Sequence, residues 1–184
     1  MNRGKYVKDF VNDYCVLDTE TTGLDPKKCK MIEIAILKVR NGHIVDEYQT
    51  LINPHRKINK FIQNLTGITN ELLVDTPSFE EVSDSIFDFI GDDFLVGHNV
   101  SFDLRFLSQE SQREFNNLYT DTRHISRKVI PNLDHYRLQD LCSYYDIKPG
   151  THRAMTDTKA TYLVYEKLKD SFYQLGIDKK TLFK

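Results

Sequence analysis

The sequence lacks any apolar run long enough to cross a bilayer, and its first residues, Met1 to Phe10, are mixed and charged. Neither a membrane span nor a secretory leader is expected, and no membrane partner. Cysteine is scarce. Cys15, Cys29 and Cys142 are odd in number, far apart and form no CxxC pair. That argues against a structural zinc site or a disulfide framework and makes a reducing cytoplasm the simplest home. A surplus of positive charge is also missing: 25 basic and 27 acidic residues give a net charge of −2. This is not the balance of a protein that grips a nucleic-acid duplex by charge alone. Repeats, low-complexity tracts and obvious linkers are absent too. The 184 residues are therefore read as one domain, 1–184, with residues 1–12 as an N-terminal extension.

Hydrophobic residues, at 40% of the chain, suffice for a folded core. Charge is unevenly spread. Residues 71–121 hold twelve acids and two bases (Arg105, Arg113), whereas residues 122–184 hold twelve bases and seven acids. The basic part could hold a polyanion, or it could be an ordinary solvated surface. Strands are expected over 13–20 (DYCVLDTE), 31–39 and 43–52, the last two joined by the hairpin signal Asn41-Gly42. Residues 53–76 read as loop with short helical pieces. Ser78 and Glu81 form a capping box for a helix over 78–90, whose apolar positions Phe79, Val82, Ile86, Phe89 and Ile90 keep helical spacing. A short strand over 94–98 and helices over 101–113, 122–130, 136–145 and 153–175 follow. Hairpin first, alternation afterwards: the pattern predicts an α/β fold with a mixed sheet.

Two carboxylates, Asp18 and Glu20, lie two apart near the end of an otherwise apolar strand. They face the same side, where they repel unless a cation neutralises them. Clustered hard oxygens suit magnesium or manganese; the alternative is a strand end running into solvent. Asp103 lies in a first helical turn and shares a face with Phe106 and Leu107. Asp157 stands in line with Ala160, Val164 and Leu168. An acid on a core-facing stripe is expensive unless it is paired or metal-bound. A buried Arg or Lys partner would explain either one singly. Two such acids, added to the strand pair, point to a shared metal site. His152 stands five residues before Asp157 at a loop-to-helix junction. An imidazole there can take a proton near neutral pH, or it can simply cap the helix.

The runs YCVLDTETTGLDP, MIEIAILKV, LTGIT, LVGHNVSFDLRFL and THRAMTDTKAT, in this order over residues 13–168, resemble the DEDDh exonucleases. Among them, the resemblance is to the epsilon proofreading subunits of bacterial DNA polymerase III. Separated motifs in fixed order are far more specific than any one alone. The resemblance implies a ribonuclease H-like fold, a five-stranded mixed sheet flanked by helices. It implies Asp18, Glu20, Asp103 and Asp157 as ligands of two Mg²⁺ or Mn²⁺ ions, with His152 as general base. Arg153 occupies the place where the sister class carries tyrosine. The implied reaction removes 5′-mononucleotides from the 3′ end of DNA. The implied partners are a single-stranded or frayed nucleic-acid 3′ end and a DNA polymerase subunit. Substrate contacts are expected at Thr21 and Leu24, after Glu20, and at Thr66, Asn99 and Phe102; fold support is the competing role for each. His98 is expected to stabilise its loop. Those epsilon subunits usually carry a longer tail that docks on the polymerase, whereas the sequence here ends at Lys184, close after the last helix, which makes a free-standing exonuclease the other expectation. An RNA-trimming exonuclease of the same class, a non-catalytic binding module and a phosphatase of small substrates remain as alternatives. The intact carboxylate-histidine set counts against the module, and the apolar residues beside it count against the phosphatase.

Overall fold

The computed structural model describes residues 3–176. Met1 and Asn2 of the expected extension, and residues 177–184 of the expected domain, lie outside the described residues. The elements run β1 (Arg3–Tyr6), β2 (Tyr14–Thr21), β3 (Met31–Arg40), β4 (His43–Leu51), α1 (Lys60–Thr66), α2 (Asn70–Leu73), α3 (Phe79–Ile90), β5 (Leu95–Gly97), α4 (Ser101–Ser111), β6 (Phe115–Asp121), α5 (Thr122–Val129), α6 (Leu138–Tyr144) and α7 (Ala154–Gln174). They form a mixed α/β fold around one sheet of order β1-β6-β5-β2-β3-β4. Strands β2, β3 and β4 are antiparallel neighbours, while β5 pairs parallel to β2 and to β6.

The sheet has six strands where five were expected. The addition is β1, built from the N-terminal extension and laid parallel to β6. The segment behind it is fastened rather than loose: Phe10 packs on Tyr165 and Phe172, and the Val11 N–H donates to the Tyr165 hydroxyl over 2.8 Å. β6 itself, FNNLYTD, carries too much asparagine to read as a strand. Pairing on both sides, by β1 and β5, supplies what its sequence does not.

Both faces of the sheet are covered. On one, α7 presents Ala160, Val164 and Leu168 to Tyr14, Val16 and Leu37, with α5 and α6 alongside. On the other, Phe79, Ile86 and Ile90 of α3 and Leu104 and Leu107 of α4 pack on Leu17, Ile34 and Ile36. α3 starts with the capping box of Ser78 and Glu81 that the sequence announced. A satellite cluster of Ile32, Ile58, Ile62, Ile68 and Leu73 anchors the α1–α2 segment against β3. Burial of this much branched and aromatic side chain is the main stabilising term. No helix of the described residues is long and apolar enough to cross a membrane.

This topology makes a notch. β5 pairs with β2 only at Cys15 and Val16, so Asp18 to Thr21 run on past its end. The chain leaves β2 toward β3 on one side and leaves β5 toward β6 on the other. At such a switch point the ends of the strands open into a crevice where ligands bind. Gly97, the last residue of β5, lets α4 close in: a Cβ there would stand 2.7 Å from the Val100 side chain and 3.1 Å from the Leu17 carbonyl oxygen.

Candidate active site

The notch collects the carboxylates. Ligand oxygens of Asp18, Glu20 and Asp157 lie within 4.8 Å of one another. β2 supplies the first two from alternate positions, and the first turn of α7 supplies the third. Asp103, in the first turn of α4, stands beside them and is only 4% exposed. It does not belong to the tight cluster: its Oδ1 accepts hydrogen bonds from the Thr19 N–H at 3.0 Å and the Thr19 hydroxyl at 2.7 Å. Thr19 thus ties α4 to the strand carrying the other acids. His152 sits at the mouth, exposed and at a φ of 56°, and its backbone N–H donates to the Asp157 carboxylate.

Electrostatics follow from the crowding. Burial, then the charges of Asp103, Glu20 and Asp157, hold the Asp18 carboxyl well above the usual carboxylate range. Burial and the charges of Asp157, Glu33 and Asp103 push Glu20 up to about 8. Burial lifts Asp103 to about 7 despite the Thr19 hydrogen bonds that favour its ionised form. Asp157 is raised by burial too, against the pull of His152. Acids that resist ionisation together mark a place arranged for a cation.

The donor set fits a hard divalent cation. It is all oxygen, it is crowded, and Asp157 Oδ1 is buried with no hydrogen-bond partner. The chain also makes room for that oxygen: a Cβ on Gly150 would lie 1.5 Å from it. Unlike these four, the neighbouring Glu33 is fully satisfied. It is 0% exposed on β3 and receives the Arg153 guanidinium at 2.8 Å and the Ala154 N–H at 2.9 Å. Burial would raise its carboxyl, but Arg153, Ala154 and Gln49 outweigh that and hold it low. This ion pair fixes the start of α7 and so the bearing of His152 and Asp157. Sequence reading missed Glu33. Its signal was an acid in the middle of an apolar run, MIEIAILKV.

Two cavities flank the carboxylates. An apolar one of about 510 Å³ lies on the Glu20 side, between Thr21 and Leu24 of the turn, Phe102 of α4, and Phe61, Leu65 and Thr66 of α1. Leu24 is 82% exposed and Phe61 71%, although both are large and apolar. An exposed apolar cluster in a groove is a binding signature. The structure brings Thr21, Leu24, Thr66 and Phe102 together here. The Thr66 hydroxyl is nevertheless engaged at home, donating to the Ile62 carbonyl and accepting from the Ile68 N–H. Phe61 and Leu65 were not singled out from sequence, because in a short helix they look like core. Asn99 is elsewhere. With a φ of 65° and its N–H on Asp121, it lines a polar cavity of about 410 Å³ that contains Asp18, His152, Asp157 and Arg123. His98 Nδ1 lies 2.9 Å from the Thr122 hydroxyl, holding the α4 and α5 loops together, and burial lowers its pKa to about 4.

With this geometry in place, residues 15–165 match the family model described as Exonuclease. The chain belongs to the DEDDh exonucleases. Its relatives include the PolC-type DNA polymerase III of Bacillus subtilis (strain 168), 40% identical over 165 residues, 86% of this chain and 12% of that protein. The Staphylococcus aureus PolC-type polymerase is 37% identical over 169 residues, 89% of this chain and 12% of that protein. The exonuclease therefore spans about an eighth of the length of these relatives, which are PolC-type where the sequence resemblance suggested the epsilon subunit. Among solved structures, exonuclease X in complex with 5′ overhanging duplex DNA superposes with a TM-score of 0.68 at 28% identity, covering 92% of this chain and 96% of that one. The nuclease domain of 3′hExo, a DEDDh family member bound to rAMP, reaches 0.75 at 17% identity over 89% and 95% of the two chains, a likeness of fold.

Proposed function

We propose that this exonuclease removes nucleotides one at a time from the 3′ end of DNA, releasing 5′-mononucleotides, in a proofreading or repair role. The observation that carries the reading is the convergence of Asp18, Glu20 and Asp157 within 4.8 Å, with Asp157 Oδ1 buried and unpartnered. These three, with Asp103 beside them, would hold two Mg²⁺ or Mn²⁺ ions. When bound, such ions supply positive charge to the scissile phosphate and lower the pKa of the attacking water. The chain's own groups do the rest. His152, free to reach solvent at the mouth, accepts the proton of that water. The apolar cavity takes the terminal nucleoside, with Leu24 wedged against its base and Phe102 and Phe61 offering ring faces. Thr21 and Thr66 border the same cavity, and Asn99 borders the polar one where the strand continues. Glu33 and Arg153 act as positioning residues for the His152–Asp157 loop.

DNA is favoured over RNA because relatives at 40% and 37% identity are named as DNA polymerases. The same relatives support a DNA polymerase as the working partner. The test is digestion of matched 5′-labelled single-stranded DNA and RNA with magnesium, manganese or chelator. A DNA ladder that shrinks from the 3′ end and is abolished by chelator is expected. A faster RNA ladder would move the assignment to RNA trimming. Binding without cleavage of either would leave a non-catalytic module.

A further inference from the structure

The polar cavity has a second wall that the carboxylate chemistry does not use. Besides Asp18 and Asp157 it is lined by Arg123 of α5 and by Arg137, which precedes α6. Neither arginine has an ion-pair partner among the described residues. Arg123 Nε is buried without a hydrogen-bond partner. Its backbone is pinned: the buried Asp121 carboxylate accepts from the Arg123 N–H at 2.9 Å and from the Asn99 N–H at 3.0 Å. The start of α5 is thereby fixed to the loop that leads into Asp103. An arginine on a fixed stretch of backbone, with its guanidinium left unpaired in a cleft, is suited to a phosphate, which the planar fork can grip through two N–H donors.

We propose that Arg123 and Arg137 hold the phosphodiester next to the scissile one on its 5′ side. The assignment rests on the proposed exonuclease reading and follows from the order of parts. The apolar cavity lies on the Glu20 side of the carboxylates and the arginines lie on the Asp18–Asp157 side. A terminal nucleoside in the first cavity puts its 5′ phosphate at the carboxylates and sends the rest of the strand into the second. The arginines also answer how a chain of net charge −2 draws in a polyanion: the positive charge is placed along the strand's path instead of over the whole surface.

The test uses the full chain with Arg123→Gln and Arg137→Gln. Arg137 is exposed, so its variant keeps the fold even if Arg123→Gln does not. Two substrates are compared: a single-stranded DNA oligonucleotide and thymidine 5′-(p-nitrophenyl phosphate), which carries a terminal nucleoside and one phosphodiester but nothing beyond. The expected loss of kcat/KM is about tenfold greater on the oligonucleotide than on the ester, mostly through KM. Oligonucleotide binding in chelator should weaken, and its salt dependence should fall by a slope of about 0.7 per arginine removed. Equal losses on both substrates would place the arginines at the scissile phosphate and overturn the proposal. So would variants that bind and degrade the oligonucleotide as the wild type does. If the wild type cleaves neither substrate, the exonuclease reading has failed, and the binding titration alone decides the arginines, with no wild-type binding counting against them.

Discussion

In the absence of metal the active site should destabilise the protein that contains it, and Glu20→Gln should relieve that strain. The Glu20 carboxyl rises from 4.5 to about 8 on folding, because it is buried beside Asp157, Glu33 and Asp103. Between those values the folded chain binds more protons than the unfolded one, so stability falls as pH rises from 4.5 to about 8. Above that range the full penalty applies. A rise of about 3.5 on the pH scale corresponds to at most about 5 kcal/mol. Partial solvent contact of Glu20 and adjustment of its neighbours reduce this to about 2–3 kcal/mol. Glutamine keeps the shape and removes the charge. For a domain of this size the variant should therefore melt ~4–12 °C above wild type at pH 9. The gain should vanish near pH 4. The assay is thermal unfolding in chelator across this pH range, read as the difference between variant and wild type. Magnesium should then raise the wild-type midpoint at pH 9 but not that of the variant. A variant less stable than wild type at pH 9 in chelator would refute the reasoning, since the carboxylates would then not be repelling one another.

Three further outcomes follow from the site. His152→Gln should lower kcat by about 10²–10⁴ while leaving oligonucleotide affinity in chelator intact, as single-turnover rates and anisotropy would reveal. Gly150→Ala puts a methyl group 1.5 Å from Asp157 Oδ1, so that carboxylate must move; activity should fall at least ~100-fold and metal-induced stabilisation should shrink, measured by a magnesium titration of the melting midpoint. Leu24→Ala and Phe61→Ala remove exposed side chains, so stability should change by less than about 0.5 kcal/mol. KM for DNA should rise about five- to twentyfold, and unaltered steady-state kinetics would remove both from the binding cavity.

Much of this was legible in the chain. Asp18 and Glu20 announce themselves by strand alternation, and Asp103 and Asp157 by standing on apolar helical stripes. Those are local patterns, and the fold placed all four in one notch. Ser78 and Glu81 likewise formed the capping box their spacing implied. What escaped was non-local. β6 is held by two neighbours rather than by its own residues, and β1 exists because β6 offers it an edge. Glu33 read as an anomaly in a strand until Arg153, 120 positions later in sequence, completed it. Phe61 and Leu65 have the apolar spacing of core residues, and only the folded protein shows them exposed along the apolar cavity.

The most direct check on the central claim uses DNA oligonucleotides with a single phosphorothioate of defined configuration, placed at the last linkage of the 3′ end or at the first linkage of the 5′ end. Sulfur is a poor ligand for magnesium and a better one for softer manganese. The account predicts that one diastereomer at the 3′ end blocks degradation in magnesium and that manganese restores it, while the 5′ placement leaves the start of digestion unchanged. Equal rates for both diastereomers in both metals, or a block only from the 5′ end, would contradict a metal-dependent exonuclease that works from the 3′ end.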